Sequence, residues 1–312
     1  MSEDASPMRE LEFIEWIRTQ LKFDPAVVPV GPGDDTAVVM CGSEKLLVTI
    51  DQLLDGVHFK LGENSPKHIG GKAMARSLSD VAAMAALPLG GVVGVMLPKG
   101  FSRDQAESLF TGLRKVAETF RCPIVGGDVA TWEGPLAINV TVFARPGGIR
   151  PILRSGAKIG DAVCVTGSLG GAWRTNRHLK FVPRIHEARM LASRHEIHSM
   201  IDISDGLASD LAHICRASDV GAEVFADAVP IHPDARTAPP PMTQLDAALC
   251  DGEDYELLFT LPAAQADDLL KDQPLTIRIS KVGMITQDKS ILLVRPDGQK
   301  EPLKVTGWEH KT

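Results

Sequence analysis

Aspartates that stand beside glycines, or at the ends of predicted strands, are the residues of this chain best suited to chemistry. Glycine lets the backbone approach a ligand closely, and carboxylate oxygens are ligands that Mg²⁺ prefers, together with waters and substrate phosphate oxygens. The dispersed set therefore predicts a metal-phosphate site. Its motifs are GDD (33–35), TID (49–51), SD (79–80), GGD (126–128), DISDG (202–206) and GED (252–254).

Each motif also has an ordinary structural interpretation. Asp-Gly and Gly-Asp pairs are common in turns, and Ser204 or Asp205 would be a good N-cap for a helix that begins near Leu207. Asp80 lies late in a predicted helix, and Arg76 stands four residues before it. A surface ion pair between these two side chains is therefore the alternative to a metal ligand at Asp80.

The common motifs for phosphate binding and hydrolysis are missing from the sequence. Gly71-Lys72 lacks the earlier glycine and the following Ser or Thr of a P-loop, and Gly31-Pro32-Gly33 does not continue as a dinucleotide-binding fingerprint. There is also no G-x-S-x-G nucleophile elbow and no H-E-x-x-H or paired-cysteine zinc motif.

Composition excludes several classes of partner. The 312 residues include 40 acidic and 33 basic side chains, for a formal net charge of −7, and no long Lys/Arg cluster suggests nucleic-acid binding. The longest apolar stretch, Leu87 to Pro98, is too short to cross a membrane. The first residues, MSEDASPMRE, have no secretory pattern, and five scattered cysteines favour buried reduced thiols. We therefore expect a cytoplasmic protein.

Predicted helices and strands are mixed along the whole chain, which favours an α/β or α+β fold. The turn Arg145-Pro-Gly-Gly interrupts the pattern and places a domain boundary near residue 148, giving domains 1–148 and 149–312. Predicted helices cover residues 7–21, 65–86, 102–120, 187–195, 207–217 and 263–271. Predicted strands cover 36–40, 46–50, 90–97, 124–125, 136–143, 162–166, 222–225, 255–261, 276–280 and 291–294.

Several motifs in the same order give the chain a resemblance to a known family. They are GDDTA (33–37), TIDQLLDGVHF (49–59), GKAMARSLSDVAAMAALP (71–88), VGGD (125–128), RSGAKIGDAVCVTGSLG (154–170), MIDISDGLASDL (200–211) and GEDYELLFT (252–260). Together they resemble the thiamine-monophosphate kinases, a family within the aminoimidazole-ribonucleotide synthetase superfamily. The resemblance runs from about residue 11 to the end.

The resemblance implies a fold and a reaction. The expected fold has two α/β domains, with an N-terminal sheet that forms a barrel at a dimer interface and active sites in the cleft between domains. The expected reaction is ATP-dependent phosphorylation of thiamine monophosphate to thiamine diphosphate by a homodimer that uses several Mg²⁺ ions. This N-terminal domain would bind metal and ATP and dimerise, and the C-terminal domain would complete the cleft.

The resemblance also implies roles for individual residues, and no catalytic acid or base is among them. The matching metal ligands are Asp35, Thr49, Asp51, Asp80, Asp128, Asp202 and Asp205. The positions that match ATP contacts are Gly127, Asp128, Arg154 and Ser204. The positions that match contacts to the thiamine substrate are His58, Glu253 and Trp308.

Two alternative functions remain open at this stage. One is a different ATP-dependent activity within the superfamily, although an early reactive cysteine and a cysteine tail, typical of two of its branches, are missing here. The other is a nucleotide- or metal-binding relative without turnover. It is suggested by Ile50, where the family usually has a hydroxyl, and by a short 171–184 segment.

Overall fold

Two sheets with flanking helices make up the described part of the protein. The computed structural model describes the backbone of residues 10–305 and the side chains of residues 15–305. The N-terminal sheet has the spatial order β1-β2-β5-β3-β4. Its strands are β1 (Ala37–Cys41), β2 (Glu44–Leu54), β3 (Leu87–Pro98), β4 (Ile124–Trp132) and β5 (Ala137–Arg145), and its helices are α1 (Glu10–Gln20), α2 (Pro66–Ala83) and α3 (Arg103–Thr119).

Helix α2 is the central support of the N-terminal half. The Ser65 hydroxyl accepts a hydrogen bond from the His68 N–H at its start, and Ile69, Met74 and Leu78 are fully buried. Helix α3 packs closely against it, since a Cβ added at Gly112 would overlap the Lys67 carbonyl oxygen. The predicted capping box of Ser102 and Gln105 at the start of α3 is confirmed.

The C-terminal sheet has seven strands in the order β12-β11-β8-β10-β6-β9-β7. They are β6 (Asp161–Thr166), β7 (Ser199–Asp202), β8 (Gly221–Phe225), β9 (Leu257–Pro262), β10 (Ile279–Thr286), β11 (Ile291–Val294) and β12 (Lys300–Pro302). The helices are α4 (Ile185–Arg194), α5 (Leu207–Ser218), α6 (Gln244–Cys250) and α7 (Ala263–Asp272). The mixture of strands and helices agrees with the predicted fold class.

One apolar core joins the two halves. It includes Leu78 and Val81 of α2 together with Met200 of β7 and Phe259 of β9, all fully buried. A second core lies between the C-terminal sheet and α5. The shared core holds the end of α2 against the end of β7, which is where the acidic motifs meet.

The predicted barrel is wrong. In the described residues the N-terminal sheet is open, because β1 and β4 lie at opposite edges and do not pair with each other. Closure would require these edge strands to meet in a continuous hydrogen-bonded register. The domain boundary near residue 148 stays a prediction. No helix in residues 10–305 has the length and apolar character needed to span a bilayer.

Candidate active site

Three carboxylates from separate parts of the chain meet between the two sheets. Asp35 precedes β1, Asp80 lies in the last turn of α2, and Asp202 is the final residue of β7. One carboxylate oxygen from each lies within 4.8 Å of those from the other two. The structure therefore brings together three of the residues that the sequence marked as metal ligands.

Burial and mutual repulsion disfavour the charged state of this cluster. Burial, followed by the charge of Asp35, raises the pKa of Asp202 to about 7, and burial and Asp51 raise the pKa of Asp80 well above its usual value. Two hydroxyls partly offset this effect. The Ser79 hydroxyl donates to Asp202 at 2.6 Å, and the Thr49 hydroxyl donates to Asp80.

Two arginines flank the cluster without neutralising it fully. Arg154 donates to the Asp35 carboxylate at 2.8 Å, and its backbone N–H donates to Asp34 at 3.1 Å. Arg76 pairs with Asp51 at 3.4 Å, so the alternative of a surface pair between Arg76 and Asp80 is wrong. The Asp80 carboxylate instead contacts the Thr49 hydroxyl of β2 and lies beside Asp202 of β7.

The cluster has unused ligand atoms that fit a hard cation. The Oδ2 atoms of Asp35 and Asp51 are buried and have no hydrogen-bond partner. A buried carboxylate oxygen without a partner is costly, and a divalent cation would satisfy it. Asp35, Asp51, Asp80 and Asp202, with the Thr49 hydroxyl, are therefore able to hold Mg²⁺.

A second group of possible metal ligands lies at the start of α5. Ligand atoms of Asp205, Asp210 and His213 lie within 4.8 Å of one another. The Asp205 N–H donates to the Asp210 carboxylate at 3.1 Å. Burial, followed by Arg154, lowers the pKa of His213 to about 4, so the imidazole is neutral at pH 7 and available as a ligand. Sequence reasoning found only Asp205 of this group.

The GED motif is fastened to the loop that follows Asp202. The Glu253 N–H donates to the Ser204 carbonyl oxygen at 2.7 Å, and the Tyr255 N–H donates to the Ile203 carbonyl oxygen at 2.8 Å. A Cβ added at Gly252 would overlap that Ser204 oxygen. Glycine at this position therefore allows the two loops to touch.

Gly252→Ala is expected to lower the free energy of unfolding by about 1–3 kcal/mol, because the loops must separate to admit the methyl group. Chemical denaturation measures the change. Gly62→Ala is the matched control, since Gly62 lies in open space and should change stability by less than about 0.5 kcal/mol. Equal stability of Gly252→Ala and the wild type would show that the loops are not held in contact.

Lys72 of α2 is the buried cation on the GED side of the site. Its ammonium donates to the His58 carbonyl oxygen at 2.7 Å, faces His178 Nδ1 at 2.6 Å and pairs with Glu253. Burial lowers the pKa of Lys72 to about 8. Burial opposes ionisation of Glu253, but Lys72 and His178 outweigh it and bring its pKa to about 2. Glu253 is thus held charged and fixed in direction.

The short 171–184 segment is tied to residues 251–256 by ion pairs. Arg177 donates to Asp254 at 2.8 Å, and Arg184 donates to both Glu256 oxygens, at 2.8 and 2.5 Å. Arg174 pairs with Asp251. Bidentate and partly buried pairs of this kind are the stronger ones. The segment therefore has a defined structural role, supporting the loop that carries Glu253.

The other predicted site residues lie apart from the carboxylate cluster or outside the described residues. The hydrogen-bonded register places Asp51 of β2 in line with Val140 of β5, Val93 of β3 and Gly127 of β4. Side chains alternate between the two faces of a sheet, so Asp128, which follows Gly127, lies on the face opposite Asp51 and is exposed there. His58 is buried, and its Nδ1 accepts from the Leu54 N–H at 3.1 Å. Trp308 lies outside the described residues.

Comparison with known proteins identifies the family. Residues 33–145 match the model of AIR synthase related protein, N-terminal domain, and residues 158–295 match that of its C-terminal domain. Thiamine-monophosphate kinase of Rhodopirellula baltica is 36% identical over 286 residues, which cover 88% of this chain and 89% of that protein. The chain belongs to the thiamine-monophosphate kinase family.

Other members of the thiamine-monophosphate kinase family agree over most of their length. The enzyme of Escherichia coli strain K12 is 33% identical, covering 91% of this chain and 92% of that protein. The solved structure of AaThiL complexed with AMPPCP and TMP superposes with a TM-score of 0.84 at 27% identity and covers both chains fully. Hydrogenase maturation protein HypE in complex with ATP, at 20% identity and a TM-score of 0.68, shares the fold alone.

In this member of the thiamine-monophosphate kinase family, sequence reasoning missed several residues of the site. Lys72 stands four residues before Arg76 and eight before Asp80, so helical spacing places it on the same face of α2 and is the signal that would have found it. His178 could not have been found, because it comes from a 3₁₀ turn about a hundred residues away. Asp34 belongs to the GDD motif, but its pKa, which burial and the charge of Asp35 raise to about 6, depends on the fold.

Proposed function

We propose that this protein transfers the γ-phosphoryl group of ATP to the phosphate of thiamine monophosphate and so forms thiamine diphosphate. The observation that carries the proposal is the buried cluster of Asp35, Asp80 and Asp202, with unpartnered carboxylate oxygens, in a chain that is 36% identical to a thiamine-monophosphate kinase. The similar structure complexed with AMPPCP and TMP supports the same pair of substrates.

The chemistry of this transfer suits a site rich in carboxylates and without a general base. The second pKa of a phosphate monoester is about 6, so the acceptor is mostly a dianion at neutral pH and is already a nucleophile. Repulsion between the two phosphate groups is then the main obstacle, and alignment of the reactants the main requirement. Bound Mg²⁺ would supply charge neutralisation and a template for both phosphates.

The proposed division of labour follows the geometry of the site. Asp35, Asp51, Asp80 and Asp202, with Thr49, would hold Mg²⁺, and Asp205 would hold a further ion beside Asp210 and His213. Arg154 and Ser204 would contact ATP, as would Gly127 and Asp128 on the exposed strand β4. Glu253 and His58 would contact the thiamine substrate, and a contact from Trp308 stays a prediction.

Two features count against a relative without turnover. Ile50 is 61% exposed and alternates with the buried Thr49, so its side chain lies on the sheet face away from the carboxylates. The short 171–184 segment is anchored to the GED loop by ion pairs. Neither departure from the family pattern removes a group from the cluster.

A comparison of phosphate acceptors tests the proposal. Release of ADP from Mg²⁺-ATP is measured with thiamine monophosphate and with free thiamine, each at millimolar concentration. ADP release with thiamine monophosphate alone is expected, since only that acceptor presents a phosphate dianion. Turnover of free thiamine alone, or of neither compound, would contradict the proposed reaction.

The oligomeric state and the cellular location of the protein are also part of the proposal. Ile50 and Met96 are exposed apolar side chains on one face of the N-terminal sheet, and such patches commonly mark interfaces. We infer a homodimer through this sheet, with domains 1–148 and 149–312 in each copy. Ile50→Glu should then yield a monomer in sedimentation velocity, and an unchanged sedimentation coefficient would contradict this interface. Cys122, Cys164 and Cys215 are buried thiols outside any disulfide, which supports a cytoplasmic location.

A further inference from the structure

The hydroxyl of Tyr255 is a buried polar group without a partner. Tyr255 is the one tyrosine of the sequence and is 2% exposed, and its OH makes no hydrogen bond in the described residues. Buried tyrosine hydroxyls usually find a hydrogen-bond partner, because an unsatisfied buried hydroxyl destabilises the folded protein. An unpaired hydroxyl in this position points to a ligand that supplies the missing acceptor.

The backbone holds this tyrosine in an unusual conformation. Tyr255 has a φ of 52° and Glu253 a φ of 70°, values that bulky L-residues rarely adopt. Hydrogen bonds from both N–H groups to the loop after Asp202 maintain the conformation, and the Tyr255 ring stacks on Phe181 with centroids 3.8 Å apart. Strain that the surrounding structure enforces in this way is typical of functional sites.

The charges that act on the hydroxyl come from both sides of the candidate active site. They belong to Arg76, Glu253, Asp51 and Asp202. Of these carboxylates, Glu253 pairs with Lys72 and Asp202 accepts from the Ser79 hydroxyl, whereas Asp51 Oδ2 is buried without a partner and fits the metal side of the site. The hydroxyl therefore lies in the field of the Arg76 guanidinium as well as of these carboxylates, and an anion that also contacts metal ions would supply the acceptor that it lacks.

We propose that the Tyr255 hydroxyl donates a hydrogen bond to a phosphate oxygen of the acceptor, thiamine monophosphate. This inference rests on the proposed function and adds a phosphate contact to it. The acceptor side of the site is favoured over the ATP side because Tyr255 lies two residues from Glu253, the proposed thiamine contact. Arg76 supplies a positive charge beside the same phosphate.

Tyr255→Phe tests the proposal, because it removes the hydroxyl and keeps the ring that stacks on Phe181. Calorimetric titration compares the affinities of thiamine monophosphate and free thiamine for the wild type and the variant, both with Mg²⁺ and a non-hydrolysable ATP analogue. We expect affinity for thiamine monophosphate to fall about 10- to 100-fold, the range for a hydrogen bond to a charged group. Affinity for free thiamine should stay the same.

A spectroscopic readout is independent of the variant. Protein labelled with ¹³C at the tyrosine Cζ gives a single ring signal, because the chain has one tyrosine. Thiamine monophosphate should shift this signal, and free thiamine should leave it in place. The thermal midpoint of ligand-free Tyr255→Phe should equal or exceed that of the wild type, since an unsatisfied hydroxyl has been removed.

The proposal would be overturned by unchanged affinity of Tyr255→Phe for thiamine monophosphate, or by an equal loss for both compounds. Failure of the proposed function is distinguishable from either result. A wild type that binds thiamine monophosphate without making thiamine diphosphate would contradict the kinase activity, while the difference between the two titrations would still decide the role of Tyr255.

Discussion

Lys72→Met will lower the free energy of unfolding by about 3–5 kcal/mol, the usual cost of removing one member of a buried ion pair. The ammonium donates to the His58 carbonyl oxygen and pairs with the Glu253 carboxylate, and it lies 2.6 Å from His178 Nδ1. Methionine keeps most of the side-chain volume and leaves the buried carbonyl oxygen and carboxylate without this donor. Denaturation by urea measures the loss.

Two comparisons separate this network from a general effect of losing a lysine. Lys99 pairs with Glu133 on the surface, where its side chain is 75% exposed, so Lys99→Met should change stability by less than about 1 kcal/mol. Lys72→Met combined with Glu253→Gln should recover part of the loss, because the uncompensated carboxylate is gone. Equal effects of Lys72→Met and Lys99→Met would show that the buried pair is not formed.

Asp202→Asn should abolish activity and yet stabilise the metal-free protein. We expect turnover to fall at least about 100-fold, because metal neutralisation of phosphate charge is worth several kcal/mol. Stability in the absence of Mg²⁺ should rise by about 2–4 kcal/mol at pH 8, where the wild type must hold a buried charge beside Asp35 and Asp80. Asparagine can still accept the hydrogen bond from Ser79.

The pH dependence of that stability gain has a definite sign. Burial raises the pKa of Asp202 in the folded protein from an ordinary value of 3.8 to about 7, so folding favours its protonated form. Below pH 4 the wild type and Asp202→Asn should therefore be about equally stable as far as this group is concerned. The gap should open as pH rises from about 4 to about 7 in EDTA, because the unfolded chain then loses the proton that the folded wild type still holds, and it should level off above pH 7.

An exposed aspartate provides the control for this experiment. Asp267 is 61% exposed and lies 3.7 Å from Lys281, so Asp267→Asn should leave both activity and stability nearly unchanged. If Asp202→Asn lowered metal-free stability at pH 8, repulsion within the cluster would not be the dominant effect. If it kept near-normal turnover, Asp202 would not hold a required metal.

Sequence reasoning could find the elements because their local signals are strong. The caps at Ser65 and Ser102, and the apolar periodicity of α3, predicted helix starts that the structure confirms within a residue or two. The predicted end of α2 near residue 86 was too late, since Met84 already caps it. Strand β4 was predicted over two residues and has nine, because its glycines hide a strand pattern.

The site was accessible from sequence only in part. Motif order indicated Asp35, Asp80 and Asp202, but their contact depends on α2 reaching from one sheet to the other through the shared core. Lys72 and His178 contact Glu253, and Arg184 contacts Glu256. These partners are separated by 72 to 181 residues in the sequence, and no local pattern encodes such pairs. The barrel was inferred from resemblance alone, and the open sheet overturned it.

Transfer of label from [γ-³²P]ATP tests the central claim most directly. The protein is incubated with labelled ATP, Mg²⁺ and thiamine monophosphate, and the products are separated by chromatography. We predict label in thiamine diphosphate, equal in amount to the ADP formed and absent when EDTA is present. Labelled inorganic phosphate without labelled thiamine diphosphate, or no release of label at all, would contradict it.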